Sequence, residues 1–177
     1  MYTPELETER LLLRHIEADD LQEIFSCWMQ DEEVSRYMYW KNSSDINETK
    51  KFIDSELDNI CSDNWYSWII VCKETLKIIG SCLIFSDSDD KTWEISYNLG
   101  RQYWGSGYIT EAMNKVIQFC QNELKADKII AVHAIENKAS EKVIRKLGFK
   151  YIKDVPYDCN GGTIHTTGHY YHLIPEN

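Results

Sequence analysis

Three extended segments, residues 66–73, 77–86 and 92–99, follow one another with only short polar gaps. Each is rich in β-branched and aromatic residues, and the gap between the first two is short enough for a hairpin. A hairpin makes those two strands antiparallel neighbours. Before them lie a short apolar strand (residues 10–16) and two helical stretches. The first, residues 17–30, has acids at its positive end (Glu17, Asp19, Asp20) and apolar residues at Leu21, Ile24, Phe25 and Trp28. The second, residues 47–61, carries Phe52, Ile53, Leu57 and Ile60 as one stripe, and the loop before it holds Tyr37, Tyr39 and Trp40.

After residue 99 the character changes to a glycine-rich loop (100–107), a helix (108–124), a strand (128–135) and a short helix (138–147). Residues 149–158 and 163–174 then read as a hairpin about the turn Asn160-Gly161. The order β-α-α-β-β-β-α-β-α-β-β predicts an α/β domain with one mixed sheet and helices on its faces. A length of 177 residues with no repeat or linker fits a single domain spanning 1–177. Asp87-Ser88-Asp89-Asp90 is expected to be a polar loop.

A net charge of -10 argues against a nucleic-acid partner and favours cationic ligands such as amines, though it also serves solubility alone. No pair of the cysteines Cys27, Cys61, Cys72, Cys82, Cys120 and Cys159 has metal or redox spacing. They read as small buried residues with free thiols. The first residues lack a basic segment followed by an apolar one, and no apolar run is long enough to span a bilayer, so no membrane association is expected. A cytoplasmic location follows by elimination. His165, His169 and His172 invite a metal reading, but in a strand the third points away from the first two, so no metal site is expected.

The stretch Gln102-Tyr103-Trp104-Gly105-Ser106-Gly107-Tyr108-Ile109-Thr110-Glu111-Ala112 places two glycines where a strand passes into a helix. Glycine admits positive φ and close backbone approach. Free N–H groups and the dipole at a helix start suit a phosphate or pyrophosphate. No Gly-Lys-Ser/Thr follows, and the glycine spacing is wrong for a dinucleotide fingerprint. A tight turn alone would also explain the glycines. The second segment reads Asn137-Lys138-Ala139-Ser140-Glu141-Lys142-Val143-Ile144-Arg145-Lys146-Leu147-Gly148-Phe149. Here Asn137 can cap a helix and Gly148 can end it.

Together the two segments resemble the GNAT superfamily of N-acetyltransferases. Gln102, Gly105 and Gly107 match its phosphate loop, followed by Thr110-Glu111-Ala112. Asn137, Ser140, Lys146, Gly148 and Phe149 match its second pattern. Leu11-Leu12-Leu13-Arg14, Asp20, Glu33-Val34-Ser35-Arg36-Tyr37 and Thr49 are similar to the RimJ/RimL branch, whose best-known members acetylate protein N-termini.

The resemblance implies the GNAT fold, a mostly antiparallel sheet whose strands 92–99 and 128–135 splay apart. It also implies acetyl-CoA as acetyl donor, without a metal. Backbone amides from Gln102 through Gly105, Ser106, Gly107 and Tyr108 to Ile109 would hold the pyrophosphate. Pantetheine would lie in the splay, with Asn137 on its arm and Ser140 near the thioester sulfur or the arm. A backbone N–H near Asn98 or Leu99 would be the oxyanion donor. Lys146, with Lys138, Lys142 and Arg145, makes a basic stretch that would meet the 3′-phosphate or stand solvated.

Direct attack needs a neutral amine, at about 1 kcal/mol for an α-amine but about 4.6 for a lysine-like amine at pH 7. Glu94 is the candidate base, acting through water, and reads equally as an exposed strand carboxylate. Ser140 is the candidate partner of the leaving thiolate. The family's usual tyrosine acid falls at Ile144, so that acid is absent. Trp28, Tyr37, Tyr39 and Trp40 lie in the segment that usually lines the acceptor cleft, and read as substrate contacts or as core. The acceptor is expected to be a peptide N-terminus, with a small amine such as a polyamine, amino acid or aminoglycoside, or a CoA-binding module without catalysis, as alternatives. Homodimers are common in the branch.

Overall fold

The computed structural model describes residues 2–87 and 91–174, so Ser88, Asp89 and Asp90 of the expected polar loop lie outside the described residues. The strands are β1 (Leu6–Glu7), β2 (Leu11–Arg14), β3 (Trp65–Cys72), β4 (Lys77–Phe85), β5 (Thr92–Leu99), β6 (Lys128–Ala134), β7 (Lys150–Cys159) and β8 (Ile164–Leu173). They form one sheet in the order β1-β2-β3-β4-β5-β6-β8-β7. Its neighbours are antiparallel except β5 and β6, which run parallel. The mixed, mostly antiparallel sheet of the expectation is therefore present, as is the hairpin turning at Asn160-Gly161. The two-residue strand β1 was not expected. It is too short for periodicity to reveal, and it exists because Leu6 and Glu7 pair with Leu13 and Leu12.

The longer helices are α3 (Ile46–Asp58), α4 (Tyr108–Asn122) and α5 (Lys138–Lys146). The expected helix over 17–30 is present as one continuous helical run from Ala18 to Met29 that changes pitch twice. Its parts are a 3-10 turn (Ala18–Asp20), α1 (Leu21–Ile24) and a π turn (Phe25–Met29). Cys27, Trp28 and Met29 are all buried, and three consecutive residues cannot share one face of a regular helix. A further short helix, α2 (Glu32–Ser35), occupies what read as loop, its start capped by the Asp31 side chain, which accepts from Glu33 N at 3.0 Å. No helix among the described residues is long and apolar enough to cross a membrane.

Each face of the sheet carries a core. On one, α4 lays Ala112, Met113, Val116 and Cys120 against Ile84, Ile95 and Ile129. Phe119 stands edge-on to Tyr66 and Trp68, with ring centroids 5.3 and 5.6 Å away. On the other, α1, the π turn and α3 pack Ile24, Trp28 and Ile53 over Ile69, Val71 and Ile78. Cys61 is exposed, unlike the other five cysteines, because it falls in the turn after α3 rather than in a strand or helix core. Gly80 in β4 lets the backbones close up: a Cβ there would lie 2.4 Å from the Asn98 carbonyl oxygen of β5.

Candidate active site

Parallel pairing between β5 and β6 lasts only from Thr92↔Lys128 to Glu94↔Ile130. Beyond it β5 continues beside β4 to Leu99, and β6 continues beside β8 to Ala134. The two strands therefore diverge after Glu94, and among the described residues the inner backbone edge of β5 beyond this point has no strand partner. Such an edge can pair with an extended ligand, as any unpaired strand edge can.

At the open end of this V, a 3-10 turn (Arg101–Tyr103) leads into the glycine loop. Gly105 and Gly107 sit at φ of 78° and 80°, where side chains are strained. Gly107 begins α4 with no side-chain cap. The amides of Gly105, Ser106, Gly107, Tyr108, Ile109 and Thr110 find no protein acceptor among the described residues, and the loop glycines and Ser106 are exposed. With the helix dipole behind them, these amides form a ready site for an anion.

The loop has a brace that sequence reading missed. Arg10, at the start of β2, donates from Nε to Glu111 Oε2 at 2.7 Å and from Nη1 to the Ser106 carbonyl at 3.1 Å. Its guanidinium lies 4.5 Å over the Tyr108 ring. Thr8 Oγ1 and the Arg10 amide both donate to Glu111 Oε1, at 2.5 and 2.9 Å. Burial opposes ionisation of Glu111, but these bonds hold its carboxyl below the ordinary range. No local signal marked Arg10, because its partners lie about a hundred positions away. Gln102 does not face the loop mouth with its amide, which turns back to Cys27 Sγ at 3.9 Å.

Across the V, Asn137 caps α5 through Oδ1, which accepts from Ser140 N at 3.1 Å. Gly148 follows the helix at φ of 89°, as its terminating role requires. Ser140 Oγ lies 2.8 Å from the Tyr97 hydroxyl. Tyr97 was not singled out from sequence, where it was one aromatic in a strand. It spans the divergence, its ring on β5 and its hydroxyl against α5. Burial pushes its pKa well up, against the opposing bond from Ser140, so the phenol is a proton-bearing donor at neutral pH. Ile144, at the tyrosine position of the resemblance, is a core residue with 1% exposure. On the exposed face of α5, Lys138 and Arg145 both pair with Glu141, at 3.1 and 3.0 Å, and Lys146 stands in solvent.

Glu94 occupies the vertex, in the last pair before the strands part. It is half-buried, and burial with the nearby Asp87 charge raises its pKa from 4.5 to about 7. A carboxyl titrating there can exchange protons at neutral pH. Ser96 and Asn98 follow Glu94 at alternate positions and so share its face of the sheet. They line a cleft with Trp28, Tyr39, Trp40 and Phe52. Trp28 is fully buried and Tyr39 is 56% exposed, so the first forms wall and core while the second stands at the rim. Tyr37 is not among the lining residues, and its carbonyl accepts from the Tyr157 hydroxyl at 3.0 Å. His165 and His169 pair with Asp158 and Asp154, and no group of three metal-ligating residues occurs among the described residues.

Comparison with known proteins accounts for this arrangement. The model of the acetyltransferase (GNAT) domain matches residues 10–150. The uncharacterised N-acetyltransferase p20 of Bacillus licheniformis is 33% identical over 146 residues, 82% of each chain. A candidate ribosomal-protein-serine acetyltransferase from Vibrio cholerae superposes with a TM-score of 0.85 at 23% identity, covering 99% of this chain and 100% of that one. RimL, a ribosomal-protein alpha-N-acetyltransferase in complex with coenzyme A, superposes with a TM-score of 0.83 at 15% identity, covering 97% and 98%. At such identities the two structures speak to the fold alone, whereas the domain match spans most of the sequence: the chain belongs to the GNAT family of N-acetyltransferases.

Proposed function

We propose that the protein transfers an acetyl group from acetyl-CoA directly to a primary amine, and that the acceptor is the α-amine of a protein or peptide. The observation that carries the reading is the divergence of β5 from β6, with unpartnered loop amides at one end and Glu94 at the other. The amides from Gly105 to Ile109 hold the pyrophosphate, helped by the positive potential of α4 and Arg10. Pantetheine pairs with the free edge of β5 near Leu99 and with the unused Nδ2 of Asn137. Lys146 supplies a charge for the 3′-phosphate.

When bound, acetyl-CoA supplies an activated acyl carbon. Glu94 takes the proton of the attacking amine through water, a transfer its raised pKa suits. Tyr97 and Ser140 form a hydroxyl pair that donates toward the leaving sulfur, which fills the role left vacant at Ile144. An α-amine acceptor fits this site because its deprotonation at pH 7 costs only about 1 kcal/mol. The fold neighbours named for ribosomal proteins support the same acceptor class. Trp28 and Tyr39 would contact the acceptor. We place the reaction in the cytoplasm, as six free thiols fit a reducing compartment.

The test is release of CoA thiol from acetyl-CoA against short peptides, polyamines, aminoglycosides and free amino acids. Turnover with the peptides establishes the reading. Turnover only with small amines moves the acceptor class. Binding of acetyl-CoA with no turnover on any acceptor replaces the enzyme by a CoA-binding module.

A further inference from the structure

Glu56 of α3 hangs into the acceptor cleft and is 7% exposed. Trp65 Nε1 donates to its Oε2 at 3.1 Å, and the Ser67 hydroxyl makes a second, short bond to the same oxygen. Both bonds therefore fall on Oε2, and among the described residues no bond falls on Oε1. Among the cleft-lining residues the structure gives Glu56 no cationic partner.

A second unpartnered acceptor lies in the same cleft. Asn98 of β5 is 9% exposed; its Nδ2 donates to Ser81 Oγ at 2.6 Å, while its Oδ1 is buried with no donor. The registers Asn98↔Ser81 and Ser81↔Ile69 put Asn98 two strand spacings across the sheet from Ile69, and Ser67 lies two residues further along β3. Across and along together, the backbones at Asn98 and Ser67 stand on the order of 10 Å apart. One open acceptor thus stands at the diverging strand and the other under α3, at a separation of that order. Trp28, Trp40 and Phe52 wall the space between them with aromatic rings. Two open acceptors, one charged, among aromatic faces suit a ligand that brings donors and positive charge at both ends.

We propose that the acceptor carries a second cationic group, an ammonium or guanidinium on the order of 10 Å from the reacting amine, and that Glu56 reads it. Asn98 Oδ1 receives the reacting amine at the β5 edge. Glu56 Oε1 receives the second cation. The inference rests on the acetyl-transfer reading above and narrows its acceptor. A basic side chain next to a peptide N-terminus and the far nitrogen of a polyamine share this chemistry.

Matched acceptors test it: a peptide with lysine at its second position against the same peptide with norleucine, and a triamine against a monoamine of equal length. The charged member should win by roughly 10- to 100-fold in kcat/KM, the range for a charge-assisted hydrogen bond. A peptide-only or a triamine-only preference identifies the source of the cation. In Glu56→Gln, which keeps an oxygen for Trp65 and Ser67, that preference should collapse. Equal rates within the pairs, or a preference that survives in Glu56→Gln, overturn the proposal. Absence of turnover with every acceptor counts against acetyl transfer instead. Titration of tryptophan fluorescence with the triamine then decides Glu56: saturation in the wild type that is lost in Glu56→Gln supports it, and no saturation in the wild type overturns it.

Discussion

The two faces of the sheet are built to different standards. The face under α4 and α5 has long regular helices, an extensive core and a loop held by glycines and by Arg10. The opposite face has one long helix, α3, beside helices of four residues, a π turn, a smaller core and aromatics left half-covered around an open cleft. The donor of a GNAT enzyme is one fixed molecule, and a rigid face can be shaped to it in advance. The acceptor differs between relatives, and short elements can be re-angled without disturbing the sheet. Binding sites on short connections over a rigid scaffold follow the same logic elsewhere.

That contrast can be broken most forcefully at Trp28, whose side chain is fully buried in the smaller core. Trp28→Ala should cost about 3–5 kcal/mol by denaturant unfolding. In the folded fraction, acceptor KM should rise while acetyl-CoA affinity, measured by calorimetry, holds. Parallel loss of both would mean that the faces fold and act as one unit.

Glu94 stands at the vertex, on the face of the open cleft. Below about pH 7 its carboxyl is protonated and cannot take a proton, so the rate should climb with pH through that value. Glu94→Gln should lower kcat on the order of 100-fold and remove that limb from the profile. The linkage has a second sign to check. A carboxyl whose pKa is raised on folding favours its neutral form, so stability falls as pH rises from about 4.5 to about 7. The variant should therefore melt higher than the wild type at pH 8 and much nearer to it at pH 4. A profile that keeps its limb in the variant removes Glu94 from proton transfer.

The smallest effect sharpens the comparison on the donor side. Tyr97→Phe deletes one hydroxyl beside Ser140 and should lower kcat roughly 10-fold, about the worth of one hydrogen bond made in the transition state. Acetyl-CoA KM should move little. A rise in KM with kcat unchanged would make Tyr97 a packing residue.

Much of the regular face was legible in the sequence for a physical reason. Long helices such as α4 bury one stripe, and glycines at Gly105, Gly107 and Gly148 answer a local need for positive φ. Their causes lie within a few residues. The helix over 17–30 was legible but its π turn was not, because the apolar spacing at Leu21, Ile24, Phe25 and Trp28 also fits a regular helix, and the burial of Cys27 and Met29 beside Trp28 goes with the wider turn. Arg10, Tyr97 and Glu56 were missed on the same principle: each is defined by a partner on another element, Glu111, Ser140 and Ser67 respectively. Asn137 showed its capping role in advance, since a cap bonds its own next turn.

The link from Arg10 to Glu111 joins positions 101 apart in the chain. Closing so long a loop is slow relative to forming a hairpin or a helix, because its entropy is lost before its contacts are gained. Strands β3 and β4 and helix α4 need only near neighbours and can form early in refolding. The glycine loop gains its brace later, when the first strands reach the sheet. Donor affinity thus becomes a clock for the last docking event, returning after helical content and after the central hairpin.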